Sequence, residues 1–237
     1  MILKDIDMDL PYVIDESKSL LTQEETRDDY DLNWKWKRHE FNLANRCMMA
    51  MISKLMPRMK TENFWGITIE CVEKSPKDRY LIVGGVCEVQ VLFDLSRFYT
   101  MTDIEKKKYA IEKAREAMNK LTSLIDVNGI LEACDKVAEA GYENIWYWKK
   151  SKKTSKKRRS LSVQLKVVHE IDFVHFYMVF NDSKTGKTEE HFIVRDKPSE
   201  WIFNKYFGTV EWIDDKTARL TTKDGKQFIE TCTLREE

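Results

Sequence analysis

The segment from Thr102 to Gly141 constrains the fold most, because its periodicity, its start signal and its stop signal agree. Ile104, Ile111, Met118 and Ile125 recur every seven residues, and Ala114 and Leu121 follow two of them by three, giving one apolar stripe of helical period. Thr102 and Glu105 have capping-box spacing, in which the Thr oxygen accepts from a free amide and the Glu reaches back to the cap. Lys106 to Lys108, Glu112, Lys113, Arg115 and Glu116 then fall largely on the solvent side. A helix over 103–125 is about 35 Å long at about 1.5 Å per residue. A shorter helix follows, with Ile130, Leu131, Cys134, Val137 and Ala138 as its buried face, Asp126 or Asn128 as its cap and Gly141 as a left-handed stop. Such a helical hairpin needs an apolar surface to cover, and the strands just before it in sequence offer one.

Those strands begin at Phe64, where the period switches to two. Ile67, Ile69 and Cys71 alternate with polar residues, 74–78 is a turn, and 80–93 reads as a long second strand that Gly84-Gly85 bulges or bends. Upstream, Phe41, Ala44, Met48, Met51, Ile52 and Leu55 share one face of a helix that Pro57 ends. The methionines 48, 49, 51, 56 and 59 suit either a core or an adaptable partner surface. Residues 33–40 read as extended, with Trp34 and Trp36 on one side. The first thirty residues are acidic; Thr22 and Glu25 have capping-box spacing, and the stretch is read as a short helix or a docking tail.

After Gly141 the chain is extended again to Lys149, repeating the Trp-x-Trp pattern at Trp146 and Trp148. Beyond a cationic stretch come strands over 161–169, 172–180 and 189–195, a short helix over 198–207 closed by Gly208, and strands near 209–213, 217–222 and 226–234. Asp224-Gly225 is a hairpin turn between the last two. The order is loosely similar to an OB-type barrel. The expected fold is therefore α+β: an antiparallel sheet covered by a helical hairpin, then a β-rich meander or small-barrel lobe with one short helix. The lobes are read as 1–148 and 161–237, joined by a basic connector at 149–160.

Net charge is zero, which argues against a surface built as a whole for nucleic acid, but charge is sorted along the chain. Ten carboxylates face three cations within residues 1–31, while 149–159 holds eight cations and no acid. Lys150, Lys152, Lys153, Lys156, Lys157, Arg158 and Arg159 suit a row of phosphates, and Trp34, Trp36, Trp146 and Trp148 suit stacking on unpaired bases. The plainer alternative is a solvated loop with indoles filling the core. A further reading has the acidic leader mask the loop until a partner displaces it.

Catalytic signatures are sparse. The chain has no GxxxxGK[ST], GxGxxG, GxSxG or HExxH. His169 and His175 would lie about 20 Å apart on one strand, too far to share a metal, and His191 meets them only in a favourable register. Asp78, Glu88 and Gln90 faintly resemble the layout by which some nucleases hold a divalent ion, which makes a metal-dependent nuclease the distant alternative. The five cysteines sit in apolar stretches and read as reduced core residues. No cofactor or metal is expected. Neither a signal-like opening nor an apolar run of about twenty residues is present, so a cytoplasmic location is expected. The function expected is non-catalytic recognition of another protein, as by an inhibitor, immunity or adaptor protein; nucleic-acid binding through 149–159 and the neighbouring tryptophans is the alternative.

Overall fold

In the segment DIDMDL, Ile6, Met8 and Leu10 alternate with aspartates, and this period of two makes a strand, β1 (Asp5–Asp9), that buries Ile6 and Met8. The computed structural model describes residues 1–12 and 22–235, so Asp15, Glu16 and Lys18 of the leader lie outside it. The chain divides into two units, Met1–Tyr142 and Glu143–Glu237. The break falls before 148, and segment 149–160 belongs to the second unit.

The first unit is a four-stranded sheet in the order β1-β2-β4-β3, with β2 (Gly66–Val72), β3 (Leu81–Val83) and β4 (Val86–Leu92). The expected antiparallel sheet is corrected here. β1 runs parallel to β2 and β2 parallel to β4, and only β3 and β4 are antiparallel. The cause lies at Gly84 and Gly85, whose φ angles of 58° and 82° make the two-residue hairpin turn that needs positive φ twice. The 80–93 segment therefore folds back on itself instead of continuing as one bulged strand.

Parallel β1 and β2 require a crossover, and the helical run 23–55 supplies it as α1 (Gln23–Asp29), a π-helical turn (Tyr30–Trp34) and α2 (Lys35–Leu55). The run opens on the Thr22–Glu25 capping box. Residues 33–40 are thus helical, not extended. No glycine or proline interrupts 22–56, and Asn33 bonds Asp29 at 2.9 Å and Lys35 bonds Asp31 at 2.8 Å, both at helical spacing. One flank of α2 also closes the β1 edge: the Ile6 N–H donates to Ser53 Oγ at 2.9 Å, Arg46 reaches Asp5 at 3.2 Å, and Arg38 and Asn42 hold Asp9.

α3 (Leu95–Thr100), α4 (Asp103–Lys120) and α5 (Asn128–Glu139) complete the unit; α2, α4 and α5 pack on one another, with α2 against β1 and α4 against β4. Phe41, Phe93, Phe98 and Tyr109 form the aromatic centre of this layer. α4 stops at Lys120, short of the expected 125, because Leu121 leaves helical geometry. Lys107 and Lys113, expected at the solvent side, are buried; Lys113 Nζ donates to Glu116 at 2.7 Å beside the Tyr109 ring. Ile104, expected in the stripe, is exposed.

The second unit holds two antiparallel sheets. β5 (Asn144–Tyr147), β7 (Leu161–His169), β8 (Val174–Asp182) and β9 (Thr188–Asp196) pair in that order, and β6 (Lys153–Thr154) pairs with β7 beyond β5. β10 (Thr209–Trp212), β11 (Thr217–Thr221) and β12 (Phe228–Thr233) form the other sheet, after a short α6 (Glu200–Phe203). Leu161, Val163, Leu165 and Val167 point inward with Phe176, Met178, Val210 and Leu220 to make one core. No described helix is long and apolar enough to cross a membrane.

Candidate functional site

The cationic segment is built into the second unit's sheet. Lys153 and Thr154 pair with Val163 and Ser162, and the buried Ser151 substitutes for a strand neighbour: its Oγ accepts the Leu165 N–H at 2.9 Å and donates to the Trp148 carbonyl at 2.6 Å. Ser155 is buried too, accepting the Arg158 N–H at 3.2 Å, so the run is a pinned strand edge, not a loose loop. Its charged ends stay exposed. Lys157 pairs with Asp215 at 2.8 Å and Arg158 with Asp182 at 3.5 Å. Among the described residues, Lys149, Lys150, Lys152, Lys153, Lys156 and Arg159 have no ion-pair partner within 4.0 Å. Arg158 also borders an open cleft of about 1100 Å³ with Lys187, Lys216 and Arg235, in which Asp182 and Glu189 already face cations.

The tryptophans do not gather around these charges. Trp146 and Trp148 turn inward onto the core, the latter 5.3 Å from Phe207. Trp34 and Trp36 belong to the first unit and sit two residues apart on a helix, hence on different sides. Trp34 donates its indole N–H to the Leu10 carbonyl and packs on Tyr12; Trp36 is exposed, with Lys37 Nζ 5.5 Å from its ring.

Aromatic residues that composition did not single out line the opposite face of the same sheet. Cross-strand register places Tyr147, Lys166, Tyr177 and Phe192 in one row and Ile145, Val168, His175 and Arg195 in the next. A register shift in β9 lets Ile193 and Val194 both turn inward while Phe192 and Arg195 both turn out. Phe192 is 55 % exposed and Tyr147 46 %. Tyr177 and Phe192 rings lie 5.8 Å apart, His175 lies 6.0 Å from Phe192, and Arg195 stacks on Phe173. Lys166 sits between the tyrosines, held by both oxygens of Glu190 at 2.8 and 2.9 Å, and this contact raises its pKa. The signal in the sequence was the period-two placement of His175 and Tyr177 between Val174, Phe176 and Met178.

In the first unit, loop 73–80 crosses the outward face of the sheet and is tied there by the Lys77 N–H to Gln90 Oε1 at 3.0 Å; Gln90 in turn donates to Glu70 at 2.9 Å. Beneath the loop is a pocket of about 430 Å³ lined by Glu70, Glu88, Gln90, Lys77, Arg79 and Tyr80. Glu88 and Gln90 of the nuclease-like layout are thus joined by Glu70, while Asp78 is not part of the lining. Among the described residues no group of three or more His, Cys, Asp or Glu is arranged to hold a metal ion. Partial burial, then the charges of Glu70 and Asp9, raise the Glu88 pKa. An acid whose pKa is raised by folding costs stability once ionised, and the cost disappears as pH falls through that pKa. Glu88→Gln is therefore expected to raise the urea-unfolding free energy at pH 7 by less than about 1 kcal/mol, and the midpoint with it, water screening a partly exposed carboxylate. Titrating both proteins down to pH 4 should bring their midpoints together.

All five cysteines are buried and unpaired as disulfides, and burial pushes the thiols of Cys87, Cys134 and Cys232 up to about 11, which keeps them protonated and weakly nucleophilic. Compared with protein-family models, with curated proteins and with solved structures, the chain matches none.

Proposed function

We propose that the protein acts without catalysis, by recognising a protein partner in the manner of an inhibitor, immunity or adaptor protein. The observation that carries this reading is the edge of the first unit's sheet. β3 ends the sheet, and its outward-facing Leu81 and Val83 are 58 % and 53 % exposed. Leu81 lies directly opposite Glu88 in register, so an apolar strip borders the carboxylate pocket. An edge strand offers unpaired backbone groups to a partner's strand, and Glu88 beside it, whose charge partial burial, Glu70 and Asp9 disfavour even with Lys77 and Arg79 at the pocket rim, favours a Lys or Arg side chain from that partner. The first unit as a whole is acidic, with 25 Asp and Glu against 21 Lys and Arg before Glu143.

Affinity capture followed by reconstitution from purified components tests the reading. A basic protein forming a complex of defined stoichiometry is expected, weakened at least tenfold, about 1.4 kcal/mol, by Val83→Asp and by Glu88→Lys. No complex from purified components, or one indifferent to both substitutions, removes the basis for it.

A further inference from the structure

We infer that the outer face of the second unit's sheet, with the cationic edge beside it, binds single-stranded nucleic acid through base stacking on Tyr147, Tyr177 and Phe192. This goes beyond protein recognition by the first unit and rests on a different surface. Net neutrality of the chain hides its distribution: from Glu143 onward, 19 Lys and Arg outnumber 15 Asp and Glu. The second unit is the basic one, and its excess is concentrated at 149–159, where β5 passes into β6 along one edge of the sheet. Tyr147, the last residue of β5, joins the two features: its ring lies on the open face, and Lys149 and Lys150 follow it along the edge.

The chemistry of the face selects the occupant. Aromatic rings accept bases of any sequence because every base has a π surface, and they do so only when the base is unpaired. Arg195, in the row next to the rings, stands where a strand laid across them would place a phosphate, while Lys166, between Tyr147 and Tyr177, is already paired with Glu190. Exposed cations without an ion-pair partner at the edge add attraction that fades with salt. Duplex cannot present its bases to a sheet face, so it is held by the charges alone.

Fluorescence anisotropy of the full chain with a labelled fifteen-nucleotide oligo-dT, the matching oligo-U and a duplex of the same length tests this. Single strands are expected to bind more tightly than duplex, and to lose about tenfold or more in affinity between 50 and 200 mM salt. Tyr177→Ala and Phe192→Ala should each weaken single-strand binding by about fivefold to a hundredfold, Tyr177→Phe should preserve it, and circular dichroism should show all three folded. Equal binding of duplex and single strand, unaffected by the alanine substitutions, would mean mere charge attraction and overturn the inference. Failure of every oligonucleotide to bind overturns it too, as does finding that the same substitutions abolish capture of a protein while no oligonucleotide binds.

Discussion

Gly208→Ala is expected to unfold the second unit or cost it more than about 4 kcal/mol, seen as collapse of its thermal transition. Gly208 has no unusual backbone angle; its constraint is proximity. A Cβ there would sit 1.7 Å from the Thr221 carbonyl oxygen and 2.6 Å from the Thr222 carbonyl carbon. Both are main-chain atoms of the β11 end, where β10 begins its pairing through Thr209 and Thr221. A side chain in the way would rotate aside, but these atoms cannot without breaking the pairing. The Lys223 N–H to Lys205 carbonyl bond at 3.0 Å and the Thr222 N–H to Gln227 bond at 2.8 Å fix the same corner. Overpacking against movable side chains typically costs about 1–3 kcal/mol, and the immovable case belongs to the exceptional tail. Gly225→Ala is the control: it sits at φ 70° with nothing within 4 Å of the added carbon, so it should cost only the left-handed penalty of about 1–2 kcal/mol.

That contrast marks what the residues disclose. Gly225 follows Asp224, a local turn signal, and was readable; Gly208 was readable only as a helix stop, because the strand that crowds it is distant in sequence. The same division runs through the fold. β7 is legible at Leu161–His169 to the residue, since strict alternation and antiparallel neighbours are local facts. β1 was hidden because its aspartates looked like part of an acidic tail, and a parallel partner lies beyond a crossover of more than fifty residues. Gly84-Gly85 suits a bulge or a hairpin turn equally by residue type, and it is the hairpin that reverses β4 and makes the sheet mixed. Of the candidate site, the cations were visible and their exposure holds, but Trp146 and Trp148 face inward. Which face of β5, β8 and β9 is open depends on how a second sheet covers the other, and no local pattern states that.

Phe93→Ala should cost the first unit about 3–5 kcal/mol, read as a matching fall in urea-unfolding free energy with Phe93→Leu losing much less. Phe93 follows β4 directly and is buried, its N–H bonded to the Val72 carbonyl at 2.8 Å. Its ring meets Phe41 of α2 at 5.2 Å edge-on, Phe98 of α3 at 5.3 Å and Tyr109 of α4 at 4.8 Å, so one side chain ties three helices to the sheet. Each aromatic pair adds about 0.5–1.5 kcal/mol beyond buried area, and truncation leaves a cavity whose walls are held by separate elements and collapse poorly. The next residue carries a further dependence: the Asp94 N–H donates to the Tyr109 hydroxyl at 3.0 Å, and Asp94 caps α3, so a Tyr109 ring that shifts into the cavity also loosens that cap. The effect should reach the outward face. Cys87, Val89 and Val91 hold β4 against the helices while Glu88 and Gln90 alternate with them, so the carboxylate pocket is only as rigid as the packing behind it. Hydrogen exchange at 86–92 should therefore accelerate in Phe93→Ala more than in Glu88→Gln, which alters the face and leaves its support intact.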